Sequence, residues 1–114
     1  MKLNYIEQGA HSEQIPPIIL IHGMFGSLSN LGMLGRTLVD RYRVISVDLR
    51  NHGDSPHAQK MDLASMAADI VELMDDLGLS RAILIGHSLG GKIAMQVALT
   101  NPERVDALVV ADIA

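Results

Sequence analysis

A serine between two glycines carries the strongest chemical signal in this chain. Gly86, Ser88 and Gly90 form a G-x-S-x-G motif directly after the short apolar run 82–85. The residues that follow, 91–100, are predicted to form a helix, so the serine lies between a strand and a helix. In that setting the motif places a serine hydroxyl on a sharp turn above the end of a sheet, where it can act as a nucleophile. The glycines are expected where neighbouring backbone leaves no room for a Cβ.

Apolar runs and helical periodicities alternate along the chain. Residues 63–77 repeat apolar side chains at helical spacing, with Asp62 as the predicted N-cap and Gly78 just past the end. The run 17–21 is continuously apolar and rich in β-branched residues, which favours a strand buried on both faces. The full prediction is a weak edge strand at 2–8, a turn at 9–14, strands at 17–21, 43–47, 82–85 and 105–111, and helices at 28–40, 63–77 and 91–100.

This alternation predicts an α/β fold, a mostly parallel sheet with helices on both faces. In the helix at 28–40, four apolar residues are expected near one face: Leu31, Leu34, Leu38 and Val39. Functional sites of such sheets form at the carboxyl ends of the strands. Polar residues follow four of the predicted strands and are expected to meet at that edge: His22, Asp48, Ser88 and Asp112.

Structural interpretations compete with catalytic ones at this edge. Ser88 would also fit as a helix-capping residue, and Asp112 as a capping or surface carboxylate. Three histidines are expected to order loops rather than to react: His22, His52 and His87. Asp48 and Arg50 are expected to stabilise a turn through hydrogen bonds rather than to touch a substrate.

The composition excludes several classes of protein. At 114 residues the chain holds at most one domain, and its net charge of −4 provides no basic surface for nucleic acid. The absence of cysteine excludes disulfides and thiolate metal sites, and it fits a cytoplasmic location. No apolar stretch approaches the roughly 18 residues of a membrane span, and the first residues lack the apolar region of a secretory signal.

A second motif overlaps the serine motif. Gly86, Gly91 and Lys92 match the start of a phosphate-binding loop, G-x-x-x-x-G-K. That loop requires Ser or Thr at the next position to bind Mg²⁺, but this chain has Ile93, whose side chain cannot ligate a hard cation. Nucleotide binding would also leave the polar residues after the earlier strands unexplained. The nucleophile interpretation is therefore preferred.

Three motifs together resemble the amino-terminal half of α/β-hydrolase-fold proteins. They are His22-Gly23 after one strand, the segment 48–55 after the next, and the G-x-S-x-G turn. Most members of the family have glycine at the second position of the sequence Arg50-Asn51-His52-Gly53. This form of the motif, together with its neighbours at 26–28 and 30–32, is more similar to the ybfF-type bacterial esterases. The resemblance covers essentially the whole chain.

The resemblance implies a serine hydrolase that cleaves small-molecule carboxylic esters or thioesters through an acyl-enzyme, with no metal and no cofactor. Ser88 would be the nucleophile, and the backbone amides of Leu89 and Met24 would bind the oxyanion, with Phe25 as the alternative to Met24. Asp112 would be the triad acid, although many relatives place the acid one strand later. Other serine chemistry of the family, such as C–C bond hydrolysis or lyase reactions, is an alternative function.

The family's histidine follows its last strand, after the acid in chain order. This chain extends two residues past Asp112, so we expect the histidine, further strands and any helical cap to lie outside it. Residues 1–114 would then be the amino-terminal part of a single α/β-hydrolase domain, truncated after the strand at 105–111. That strand would have an open edge, through which the chain could associate with another chain. A non-catalytic fragment is therefore a further hypothesis.

Overall fold

Five short strands form one sheet, and their order across the sheet differs from their order along the chain. The structure is a computed structural model that describes residues 1–9 and 14–111. The strands are β1 (Tyr5–Gln8), β2 (Ile18–Ile21), β3 (Val44–Val47), β4 (Ala82–His87) and β5 (Val105–Ala111). They are arranged as β1-β3-β2-β4-β5; β1 is antiparallel to β3, and all other neighbours are parallel. The predicted mostly parallel sheet is confirmed, whereas most of the turn predicted at 9–14 lies outside the described residues.

Helices cover both faces of this sheet, as predicted. They are α1 (Gly32–Leu38), α2 (Leu63–Asp76) and α3 (Leu89–Thr100). On one face, Ile19 and Ile21 of β2 belong to the core that α2 and α3 complete. On the other face, Ile18 and Leu20 pack with α1 and the residues around it. The continuous apolar run of β2 follows from this arrangement, because successive side chains of a strand point to opposite faces.

The predicted ends of α2 are confirmed within one residue. Asp62 is the N-cap, and its Oδ1 accepts the Ser65 N–H at 2.7 Å. This bond from Ser65 is the main reason that the pKa of Asp62 lies below its ordinary value. After the helix, Gly78 has a φ of +70°, which glycine adopts without a steric penalty.

The helix predicted at 28–40 is wrong in its first part. Leu28–Leu31 form a 3₁₀ turn, and α1 begins only at Gly32. A 3₁₀ turn has three residues per turn instead of 3.6, which changes the side chains that face the sheet. Leu34 is consequently exposed, and Gly35 is buried against Leu20. Leu31, Leu38 and Val39 do pack against the core, as expected.

The outer strand β5 leaves apolar side chains accessible. Within the described residues, β5 pairs with β4 along one edge only. Leu108, Val109 and Val110 are 38%, 50% and 40% exposed. An accessible strand edge with apolar side chains is a template for pairing with another chain.

We predict that the 114-residue chain self-associates through β5 and that Val109→Lys shifts it toward the monomer. A charge on an open strand opposes edge-to-edge pairing. Leu99→Lys is the matched control, because Leu99 is 78% exposed but lies on α3. Size-exclusion chromatography with light scattering measures the effect. A wild-type chain that stays monomeric over the accessible concentration range would contradict the prediction.

Candidate active site

Ser88 joins β4 to α3 with a backbone conformation that residues other than glycine rarely adopt. Its φ is 56° and its ψ is −117°. A left-handed φ costs a residue with a Cβ roughly 1–2 kcal/mol, so surrounding contacts must stabilise the turn. The Ser88 N–H donates to the carbonyl of Ala111 at 2.9 Å, and the Ser88 carbonyl accepts the N–H of Gly91 at 3.0 Å. The serine therefore sits, partly exposed, at the carboxyl end of β4, as the sequence predicts.

Glycines around this turn occupy positions where a side chain would not fit. A Cβ on Gly86 would collide with the carbonyl oxygen of Gly90, and one on Gly90 would collide with the carbonyl oxygen of Ile21. The expected reason for both glycines is confirmed. Gly23 approaches the serine from the loop after β2, where a Cβ would lie 3.2 Å from the Cβ of Ser88. The backbones of β4, of the start of α3 and of the loop after β2 therefore come into close contact at the serine turn.

The loop after β2 contains two neighbouring amides that differ in their partners. The Phe25 N–H donates to Nε2 of His52 at 3.0 Å. The Met24 N–H has no acceptor within residues 1–9 and 14–111. Phe25 also has a positive φ of 62°, and its side chain is 94% exposed. The Gly26 N–H closes the loop by donating to the carbonyl of Gly23 at 3.1 Å.

Two buried histidines, His22 and His52, join this loop to the loop after β3. Nε2 of His22 accepts the Leu49 N–H at 3.0 Å, and its Nδ1 lies 2.7 Å from the carbonyl of the next residue. His52 lies in the loop after β3 and reaches back to the loop after β2: its Nε2 accepts the Phe25 N–H, and its Nδ1 lies 2.8 Å from the carbonyl of Arg50. An Nε2 that accepts an N–H belongs to a neutral ring protonated on Nδ1. Burial favours this form by lowering the pKa of His22 below its ordinary value.

Asp48 and Arg50 stabilise the loop after β3, as the sequence analysis expects. The Asp48 carboxylate accepts the backbone N–H of Asp54 and the side-chain amide of Asn4, both at 2.9 Å. Arg50 donates two hydrogen bonds to Asp69 of α2, at 2.7 and 2.8 Å. This buried pairing raises the pKa of the Arg50 guanidinium, and it connects the loop to the helix layer.

A cavity of about 420 Å³ opens beside Ser88. Its described lining contains no Asp, Glu, Lys or Arg; it consists of Gly23, Met24, Phe25, Gly26, Asn30, Leu31, His87 and Ser88. A second hollow of about 350 Å³ shares Met24, Phe25 and Gly26 with this cavity and includes His52 and Met61. The cavity is suited to an uncharged group with an apolar portion.

The structure brings three of the four predicted site residues together. Ser88 and Met24 line the cavity, and Leu89 begins α3 directly after the serine. The N–H groups in the first turn of a helix have no acceptor within that helix. Asp112 lies outside the described residues. Its neighbour in sequence, Ala111, provides the carbonyl that accepts the Ser88 N–H.

Comparison with known proteins identifies the family. A family profile described as "alpha/beta hydrolase fold" matches residues 16–113. The chain belongs to the α/β-hydrolase-fold family. This confirms the predicted fold and the resemblance on which the predicted site residues are based.

The similar α/β-hydrolase proteins include enzymes that act on esters. Esterase YbfF of Escherichia coli is 46% identical over 115 residues, which cover 100% of this chain and 45% of that protein. The mouse sn-1-specific diacylglycerol lipase ABHD11 is 46% identical over 101 residues, covering 87% of this chain and 33% of that protein. The solved structure of a marine microorganism esterase superposes with a TM-score of 0.94 at 40% identity, covering 99% of this chain and 42% of that one.

This α/β-hydrolase chain thus spans less than half the length of these relatives. In the part that the structure describes, no helix is long and apolar enough to cross a membrane. The described residues also contain no group of three or more side chains suited to bind a metal ion.

The contacts that connect the loops of the site are not predicted by local patterns in the sequence. The bond from Phe25 to His52 joins residues 27 positions apart, so no local spacing indicates it. The pair of Arg50 and Asp69 was also missed, but a signal for it exists. In the sequence, Asp69 stands at helical spacing from the apolar residues Met66 and Leu73, which places it toward the apolar face of the predicted helix, and the structure buries it in α2. A charged side chain in such a position indicates a buried partner.

We predict that Gly90→Ala destabilises the protein by about 2–3 kcal/mol or more, because its Cβ meets backbone that cannot easily move. Gly32→Ala is the control, because the nearest atom to its Cβ is Nη1 of Arg36 at 3.4 Å, an ordinary contact. The free energy of unfolding in urea measures both. Equal stability of the two variants would show that the serine turn tolerates a side chain at Gly90.

Proposed function

We propose that the protein containing this chain is a serine hydrolase that cleaves carboxylic esters or thioesters through an acyl-enzyme. The observation that carries the proposal is the strained turn of Ser88 beside a cavity with no Asp, Glu, Lys or Arg in its described lining. The similar proteins include an esterase and a diacylglycerol lipase, which supports ester substrates.

The reaction begins when Oγ of Ser88 attacks the carbonyl carbon of the ester and transfers its proton to a base. The carbonyl oxygen becomes an oxyanion, which accepts hydrogen bonds from the N–H groups of Leu89 and Met24. The oxyanion also lies near the amino terminus of α3, where the helix dipole favours negative charge. The intermediate collapses, the alcohol or thiol leaves with a proton, and water then hydrolyses the acyl-serine.

The hydrogen bonding of the two amides supports Met24 rather than Phe25 as the source of the second oxyanion amide. The Phe25 N–H is already bonded to His52. The Met24 N–H has no acceptor in the described residues, and Met24 lines the cavity of Ser88. A donor that is free in the resting protein can bind the oxyanion without first breaking a bond.

The histidine pair, His22 and His52, is unsuited to serve as the base. Both ring nitrogens of each histidine are within hydrogen-bond distance of backbone groups. Following the family resemblance, in which the histidine comes after the acid in chain order, we propose that the base is a histidine outside residues 1–114 and that Asp112 orients it. The bond between Ser88 and Ala111 supports Asp112, because that carboxylate follows Ala111 in sequence. The 114-residue segment alone would show only residual turnover.

Ser88→Ala in the full-length protein should abolish hydrolysis of a p-nitrophenyl ester and labelling by a fluorophosphonate probe. The substitution removes the attacking oxygen. Ser80→Ala is the control, because Ser80 is exposed just before β4, at the end opposite Ser88. Labelling that persists in the Ser88 variant would refute the proposed nucleophile.

Asp112→Asn in the full-length protein should lower kcat by roughly 10⁴, because an amide leaves the histidine free to adopt the wrong tautomer. Asp106→Asn is the control, since Asp106 lies near the start of β5 and pairs with Arg81. Steady-state kinetics measure both variants. Near-normal turnover of the Asp112 variant would place the acid on a later strand.

A further inference from the structure

We propose that His52 is a positioning residue for oxyanion binding. Its Nε2 binds the Phe25 N–H and thereby fixes the adjacent amide of Met24 in the conformation that leaves it free beside the cavity. The inference rests on the proposed function, because it assigns His52 a part in the same reaction. His52 is not itself among the residues that line the cavity, so its effect acts through its bond to Phe25 and the backbone of the loop after β2.

Phe25 needs such an anchor because its own side chain provides none. The residue has a φ of 62°, a conformation that costs free energy for any residue with a Cβ. Its ring is 94% exposed and cannot stabilise the loop by packing. The conformation therefore depends on main-chain bonds, namely the Phe25 N–H to His52 and the Gly26 N–H to the carbonyl of Gly23.

His52 is itself rigidly supported. The ring is 7% exposed, and its Nδ1 lies 2.8 Å from the carbonyl of Arg50. The Arg50 side chain is bonded to Asp69 of α2, so the support reaches the helix layer. The ring of His22 lies beside that of His52, with centroids 5.1 Å apart. His52 thus has a fixed position and a fixed tautomer, which are what a residue needs to orient a neighbouring loop.

Two substitutions separate the two bonds of the imidazole. Gln places its carbonyl oxygen near the position of Nε2, so His52→Gln retains an acceptor for Phe25 and loses the donor to Arg50. Asn places its amide nitrogen near the position of Nδ1, so His52→Asn retains the donor to Arg50 and loses the acceptor. If His52 served only to hold the carbonyl of Arg50, His52→Gln would lose more activity than His52→Asn. The proposal predicts the opposite order.

The experiment is steady-state ester hydrolysis by the full-length protein and both variants, with inhibition by a trifluoromethyl ketone, whose serine adduct carries an oxyanion. We expect His52→Asn to lower kcat about 10-fold or more, with little change in KM. This loss should be smaller than the roughly 10²–10³-fold loss in kcat that follows deletion of an oxyanion donor, because the Met24 amide is displaced rather than removed. Affinity for the ketone should fall by a similar factor, and His52→Gln should stay within about threefold of wild type. Equal losses in both variants, or a change in KM alone, would overturn the proposal.

A measurement on the wild-type protein covers the case in which a variant fails to fold. Nitrogen-15 NMR should show a coupling between the Phe25 amide and Nε2 of His52, with the ring proton on Nδ1. The opposite tautomer would overturn the proposal. Fluorophosphonate labelling in the same preparation distinguishes a failure of the proposed function from a failure of the proposed role of His52. No labelling of Ser88 refutes the proposed function, whereas normal labelling with an unaffected Asn variant refutes only the role of His52.

Discussion

The positive φ of Ser88 is the constraint on which the rest of the site depends. A strand that must turn at once into a helix leaves its serine in a conformation that side chains disfavour. The turn is possible only because Gly86 and Gly90 let neighbouring backbone come into contact. Its direction is fixed by the bond from the Ser88 N–H to Ala111 of the adjacent strand. The result is a hydroxyl beside the amino terminus of α3, which begins at Leu89 directly after the serine.

The part of the site that contains the Met24 amide depends on two loops that stabilise each other. The loops after β2 and β3 are irregular, so their backbone groups need partners that a sheet would otherwise supply. His22, from the loop after β2, accepts an N–H of the loop after β3, and His52 accepts one in return. Asp48 and Arg50 stabilise the loop after β3. In the described part of the chain, every buried side-chain nitrogen and oxygen has a hydrogen-bond partner. Such satisfied polar contacts allow a loop to stay rigid next to a cavity.

Local patterns in the sequence were enough to predict the elements and the serine turn. The apolar run of β2, the periodicity of α2 and the G-x-S-x-G motif all depend on residues close in the chain. The start of α1 could not be predicted, because a 3₁₀ turn and an apolar helix share similar spacings. The partners of His52 and Arg50 could not be predicted either, because they lie 27 and 19 residues away and depend on how the strands are ordered. The role of Asp112 stays a prediction.

The most direct test of the account is mass spectrometry of the full-length protein after a rapid acid quench during turnover of a p-nitrophenyl ester. The account predicts a peptide that contains Ser88 with the added mass of the acyl group, and no such adduct in the Ser88→Ala variant. An acyl group on another residue, or turnover with no covalent adduct at any quench time, would contradict the claim that this strained serine is the nucleophile.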